Sequence, residues 1–126
     1  MNQSTEVKKF VFPNLNEGEI YAGAIIAPDG TGHHVILLDG DHDDADWDTS
    51  MEWAKSIGGD LPDRVEQAML YKHLPDRFQK EWYWSNTQHS GHSSYAWYQN
   101  FNNGYQDSSY EYYELRARAV RRSVIQ

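Results

Sequence analysis

Cysteine is absent from the 126 residues, which excludes disulfides and thiolate metal sites and suits a reducing compartment. No run is long and apolar enough to span a membrane. The opening MNQSTEVKKFVFPNLNEGE lacks the apolar core of a signal peptide. The expectation is therefore a protein made in the cytoplasm, without Sec-type export and without a membrane partner. Basic residues are few: 11 Lys and Arg stand against 19 Asp and Glu, giving a formal net charge of −8. Binding to a phosphate backbone needs a basic face, so nucleic acid is not an expected partner. A basic partner, or simply a well-solvated surface, is. There is no Gly-x-Ser-x-Gly elbow and no phosphate loop.

Aromatics are plentiful at 14%, too many for a disordered chain, and the length suits one domain. Residues 1–18 are polar around a short Phe10-Val11-Phe12 patch. They read as an arm, either frayed or packed on a neighbouring subunit of a homo-oligomer. Ile20–Ala27 and Val35–Leu38 flank Pro28-Asp29-Gly30, which is turn chemistry, so a β-hairpin is expected. After an acidic loop, Asp39–Asp48, the series Thr49-Ser50-Met51-Glu52 has capping-box spacing. It predicts a helix to Ile57, stopped by Gly58-Gly59, with Met51, Trp53, Ala54 and Ile57 inward. A second helix follows Pro62, with Asp63 and Glu66 in its first turn, Val65, Met69, Leu70 and Leu74 on its apolar face, and Pro75 ending it. WYWSN, YAWYQNF and ELRARAVRR are the expected later strands, with long polar loops between them. The class is α+β: N-terminal β-hairpin, two helices, then antiparallel strands.

The stretch from Trp82 to Tyr113 mixes Trp and Tyr with Ser, Asn, His and Gly, the composition of adaptable binding loops. Trp82, Trp84 and Trp97 fall at strand positions and are expected in the core. The surface is expected from Gln88, His89, His92, Ser94, Tyr95, Asn102, Asn103, Tyr105, Gln106, Asp107, Tyr110 and Tyr112. Strand alternation puts Tyr98 and Asn100 opposite Trp97; with Trp97 inward, both face the ligand. The closing arginines are expected to pair with acids such as Glu111 and Glu114.

Metal and catalytic readings are weaker. Asp41, Asp43 and Glu52 take the first, third and twelfth places of a calcium loop, but Ala45 and Asp46 break the fifth and sixth. A solvated acidic loop leading into a helix is favoured, with calcium the one candidate cofactor. The six histidines lack helical zinc spacing, and nothing assembles a triad, so the chain reads as non-enzymatic.

Gly58, Gly59, Leu61, Pro62 and Glu66, then Trp84-Ser85, then Arg118, Val120 and Arg121 resemble the DUF1566 family across residues 19–123. The hairpin YAGAIIAPDGTGHHVILL is similar to those of its phage-encoded members. The resemblance implies one C-type lectin-like domain over residues 19–126, in the variant of the formylglycine-generating enzymes, without their cysteine chemistry. It also implies a phage or prophage protein, virion-associated or in the host cytoplasm. The palette of residues 86–113 is similar to that of diversity-generating-retroelement variable proteins. The function expected is recognition of a protein or glycan; an intracellular inhibitor of a host defence enzyme and a calcium-dependent lectin are the alternatives.

Overall fold

The computed structural model describes residues 10–125. The elements are β1 (Ile20–Ile26), β2 (Gly32–Leu37), β3 (His42–Ala45), α1 (Trp47–Ser56) and α2 (Arg64–His73), then a 3-10 turn (Pro75–Arg77). β4 (Trp82–Gln88), β5 (Tyr95–Asn100), β6 (Gln106–Tyr110), β7 (Leu115–Ala117) and β8 (Val120–Val124) follow. The fold is α+β with an N-terminal hairpin.

The hairpin forms where Pro28-Asp29-Gly30 directs it. Asp29 accepts hydrogen bonds from the Thr31 amide and hydroxyl, and Gly30 takes a positive φ of 89° that a side chain would resist. α2 opens on a reciprocal capping box: the Asp63 carboxylate accepts from the Glu66 amide, and Glu66 accepts from the Asp63 amide. α1 corrects the expectation. Its cap is Asp46, which accepts from the Thr49 amide at 2.8 Å, so the helix starts before Thr49. Ser50 and Ala54 are buried beneath it, while Ile57 ends up exposed. In α2 the inward residues are Glu66, Gln67 and Leu70, and Val65 is 63% exposed. The inner face is turned toward two polar residues because both find partners inside.

β1, β2 and β8 form a three-stranded sheet; β3, β7, β4, β5 and β6, in that order, form a five-stranded one. The acidic loop contributes β3, and QDSSY, expected as loop, is β6. ELRARAVRR is two strands, not one: it breaks at Arg118–Ala119, with β7 in the larger sheet and β8 in the smaller. Arg118 donates to the Leu38 carbonyl beside the break, and the Leu38 amide donates to Ala119.

Strand alternation sends Tyr83 and Trp84 into different cores. Tyr83 joins Val35, Leu37, Leu70, Phe78, Phe101 and Val120 between the two sheets and α2. Trp84 joins Ala54, Leu61, Ala96, Tyr98 and Ala117 beneath α1. Trp84 Nε1 donates to the Ala45 carbonyl.

Of the arm expected at residues 1–18, residues 1–9 lie outside the described residues. The rest folds back on its own chain. Phe12 meets Tyr21 edge to face at 5.0 Å, and Phe10 meets His34 at 5.1 Å. Arg121 forks onto Glu19 at 3.0 and 2.9 Å and donates to the Asn14 carbonyl. Phe10 and Phe12 thus spend one side of their rings on their own sheet and leave the other exposed. That arginine holds the Glu19 carboxyl down at about 2, against an ordinary value of 4.5.

Candidate functional site

The expected surface residues separate into two groups at opposite ends of the β5–β6 ribbon. β5 runs from Tyr95 to Asn100, so five steps at about 3.3 Å put the ends ~17 Å apart.

At one end the rings touch in series. His89 stacks on Trp97 with centroids 5.3 Å apart, His92 lies 5.5 Å from His89, and Tyr95 lies 4.9 Å from His92. Tyr110 is 4.4 Å from Tyr95, Tyr112 is 5.1 Å from Tyr110, and Tyr113 is 5.2 Å from Tyr112. The guanidinium of Arg64 sits 3.5 Å over Trp97 and closes the row at the α2 end. Tyr112 is 67% exposed, and His92, Tyr110 and Tyr113 are also exposed. The turn beneath the row is tied locally. Gly91 donates its amide to His89 Nδ1 at 2.9 Å, so the neutral imidazole carries its proton on Nε2. Gln88 bridges the Ser93 carbonyl and the Glu111 carboxylate. The Tyr110 hydroxyl, and then desolvation, hold Tyr95 above its ordinary pKa.

At the other end the amides serve their own turn. Asn100 Oδ1 accepts from the Asn102 amide and Asn103 Oδ1 from the Tyr105 amide. Asn102, Asn103, Tyr105 and Asp107 are exposed, but no ring of this group joins the row. Two expectations fail here. Tyr98 is 6% exposed and belongs to the core under α1, with Trp82 stacked on it at 4.5 Å; burial pushes its pKa up. Gln106 is a strap rather than a contact: its amide donates to the Arg64 carbonyl and to Gln99 Oε1, and it accepts from Arg64 Nε. Gln99 in turn donates to the Gln67 carbonyl, and Gln67 to the carbonyls of Tyr83 and Trp84. This buried amide relay fixes the first turn of α2 on the sheet and so holds Arg64 over Trp97.

The tryptophans also redistribute. Trp84 is wholly buried as expected, but Trp82 is 43% exposed and Trp97 half-buried. Trp97 belongs to the surface row, as does Tyr113, which sequence reading left out. Tyr113 was within reach of the sequence: it ends the same Tyr-Glu-Tyr-Tyr series as Tyr110 and Tyr112. Arg64 was not, because only the relay brings it to the row.

The acids of the calcium-like spacing are occupied or apart. Asp41 accepts from the Tyr83 hydroxyl at 2.7 Å and pairs with Arg116 at 3.0 Å; Asp43 lies 3.5 Å from Arg116; Glu52 is exposed on α1. Among the described residues no three His, Cys, Asp or Glu side chains gather around a common point. Burial, then the Asp41 carboxylate, pushes Tyr83 up to about 12, with the Gln79 amide pulling the other way. Arg116, Arg121 and Arg122 pair with acids, though with Asp41, Glu19, Glu66 and Asp60 rather than Glu111 and Glu114, while Arg118 donates to the Arg77 and Leu38 carbonyls instead. Glu66 is fully buried. Burial raises its pKa, but Arg122, the Asp63 amide and His33 outweigh that and the net direction is downward.

The chain matches no family model, no curated protein and no solved structure. No helix among the described residues is long and apolar enough to cross a membrane.

Proposed function

We propose that this protein is a non-enzymatic binding module that recognises a protein ligand through the aromatic row from Trp97 to Tyr113. The observation that carries this is the row itself: contiguous rings, several well exposed, held on a strand ribbon. Tyrosine and tryptophan give rigid contact area with little entropy to lose on binding. The border is acidic. The Trp47 amide donates to the Glu111 carbonyl, which brings the segment with exposed Asp44 and Asp48 beside Glu111 and Glu114. A basic, arginine-bearing protein surface complements both, since guanidinium stacks on rings and pairs with carboxylates. That favours the reading as an inhibitor of a basic host enzyme over glycan recognition.

A C-type lectin-like scaffold of DUF1566 type, phage- or prophage-encoded, is part of the same proposal. It is supported by the motif resemblance and by the first and last strands sharing one small sheet. A non-enzymatic role is supported by the state of the polar groups. His89 Nδ1 is spent on Gly91, and the buried Glu66 that bonds His33 is clamped by Arg122. The test pairs two variants in capture from host lysate and on a glycan array. Tyr110→Ser with Tyr112→Ser and Tyr113→Ser should abolish capture of a basic protein, and Asn102→Ser with Tyr105→Ser should leave it intact. Equal loss in both variants, or capture unaffected by the first, would defeat the assignment; glycan binding lost in the first alone would redirect it to sugars.

A further inference from the structure

Among the described residues four strands are sheet edges: β1, β3, β6 and β8. Exposed edges invite another strand, and proteins blunt them with bulges, charges or caps. β1 is broken by a register shift between Tyr21 and Gly23. β3 is short, irregular and carries exposed Asp43 and Asp44. In β6 the Ser108 amide is capped by the Asp107 carboxylate at 2.7 Å. β8 has no bulge, its two charges are already paired within the chain, and only its first residue, Val120, is capped, by Asp60. It pairs with β2 in unbroken register from Leu37↔Val120 to His33↔Val124.

The direction of its free backbone groups follows from one contact. The Val120 amide and carbonyl both bond Asp60, on the side away from β2. By the two-residue period of a strand, the amides and carbonyls of Arg122 and Val124 face the same way, and among the described residues no backbone bond reaches them. Beside this edge lies a cleft of about 140 Å³ lined by Val11, Phe12, Pro13, His34, Ser123 and Val124. Its rim is apolar and open: Phe12 is 62% exposed and Val124 69%. The nearby charges are already matched, Arg121 by Glu19 and Arg122 by Glu66 and Asp60.

We propose that this edge is an interface with a second copy of the chain, β8 running antiparallel to β8. With Ser123 opposite Ser123, each Arg122 exchanges backbone hydrogen bonds with Val124 of the second copy, so no arginine faces an arginine. The two three-stranded sheets become continuous, and the cleft of each copy receives apolar rim from the other. The sequence of the edge selects the occupant. VRRSV is complementary to itself about Ser123: Arg122 falls opposite Val124, and Arg121 and Arg122 are neutralised by acids of their own copy, so two copies with a formal charge of −8 meet here without opposing like charges. The arm stays on its own sheet and lines the interface; it is not exchanged. The inference is independent of the aromatic row.

Light scattering on the eluting full chain tests it. The wild type should show twice the 14.7 kDa chain mass at submillimolar concentration. Val124→Pro removes an outward amide and leaves the bonds to β2 in place; it should give the single-chain mass with an unchanged circular dichroism spectrum. Phe12→Asp, on the open rim, should do the same and serves if the proline variant fails to fold. Amide exchange at Arg122 and Val124 should slow as concentration rises. A monomeric wild type overturns the proposal. So does a dimer that survives both substitutions, since it would use another face.

Discussion

The two ends of the β5–β6 ribbon use similar residues for opposite purposes. At the Tyr95–Tyr110 end, side chains meet one another and leave ring faces to solvent. At the Asn100–Tyr105 end, side chains bond the backbone of their own turn. Polar, exposed composition therefore does not by itself mark a binding surface. An asparagine whose oxygen already holds an amide two residues on has less to offer a partner than a tyrosine with an open face.

The strongest way to break that comparison lies between the ends. Tyr98→Ala should cost about 3 kcal/mol in urea unfolding, because it removes a buried ring from under α1; a near-silent result would return Tyr98 to the surface. Acid provides a probe that touches neither end. Glu19 is held at about 2 by Arg121, a depressed carboxyl, so its contribution is full above its unfolded value near 4.5 and is lost as pH falls through about 2. Stability should decline across that window, and Glu19→Gln should flatten its own share of the decline and cost about 1 kcal/mol at neutral pH, after allowance for the partly exposed Arg121. At the amide end, Asn103→Ala should lose the bond to the Tyr105 amide and lower stability by about 0.5–1 kcal/mol. The smallest effect is expected at the other end: Tyr112→Ser should change stability by under about 0.5 kcal/mol while reducing ligand capture. If Asn103 and Tyr112 behaved alike in both measurements, the distinction between the ends would fall.

Local chemistry made part of this legible beforehand. Pro28-Asp29-Gly30 announces the hairpin, and Asp63 with Glu66 announces the start of α2, because turns and caps are settled by neighbours in sequence. The sequence alone starts α1 too late because Asp46 and Thr49 are both acceptable caps, and only the chain's entry from β3 decides between them. β6 carries no apolar alternation in Gln106–Tyr110; it is a strand because β5 offers it a ladder. The break at Arg118 is hidden because small or apolar residues alternate straight through it. Alternation also shows that Trp97 and Tyr98 face opposite ways, but not which face is covered. The answer comes from Trp82, which stacks on Tyr98, and from α2, which reaches Trp97 only with Arg64. The candidate site was therefore legible as a palette and as a region, but not as a row.

The closing of the small sheet has a consequence for how the protein is made. β2 must pair with β8 across most of the chain, Val35 with Arg122, while β1 and β2 are neighbours. During synthesis the hairpin emerges before β8 with one flank open, and it waits for β3 to β7 and both helices to follow. Loop closure over such a span is slow, so the docking of a late strand onto an early one is expected to lag behind the local hairpin. Until then Val35, Leu37 and Leu70 lack the cover of Val120. A chain paused before β8 would present that flank to other nascent chains, and its yield should depend more on the pace of translation and on chaperone supply than its final stability suggests.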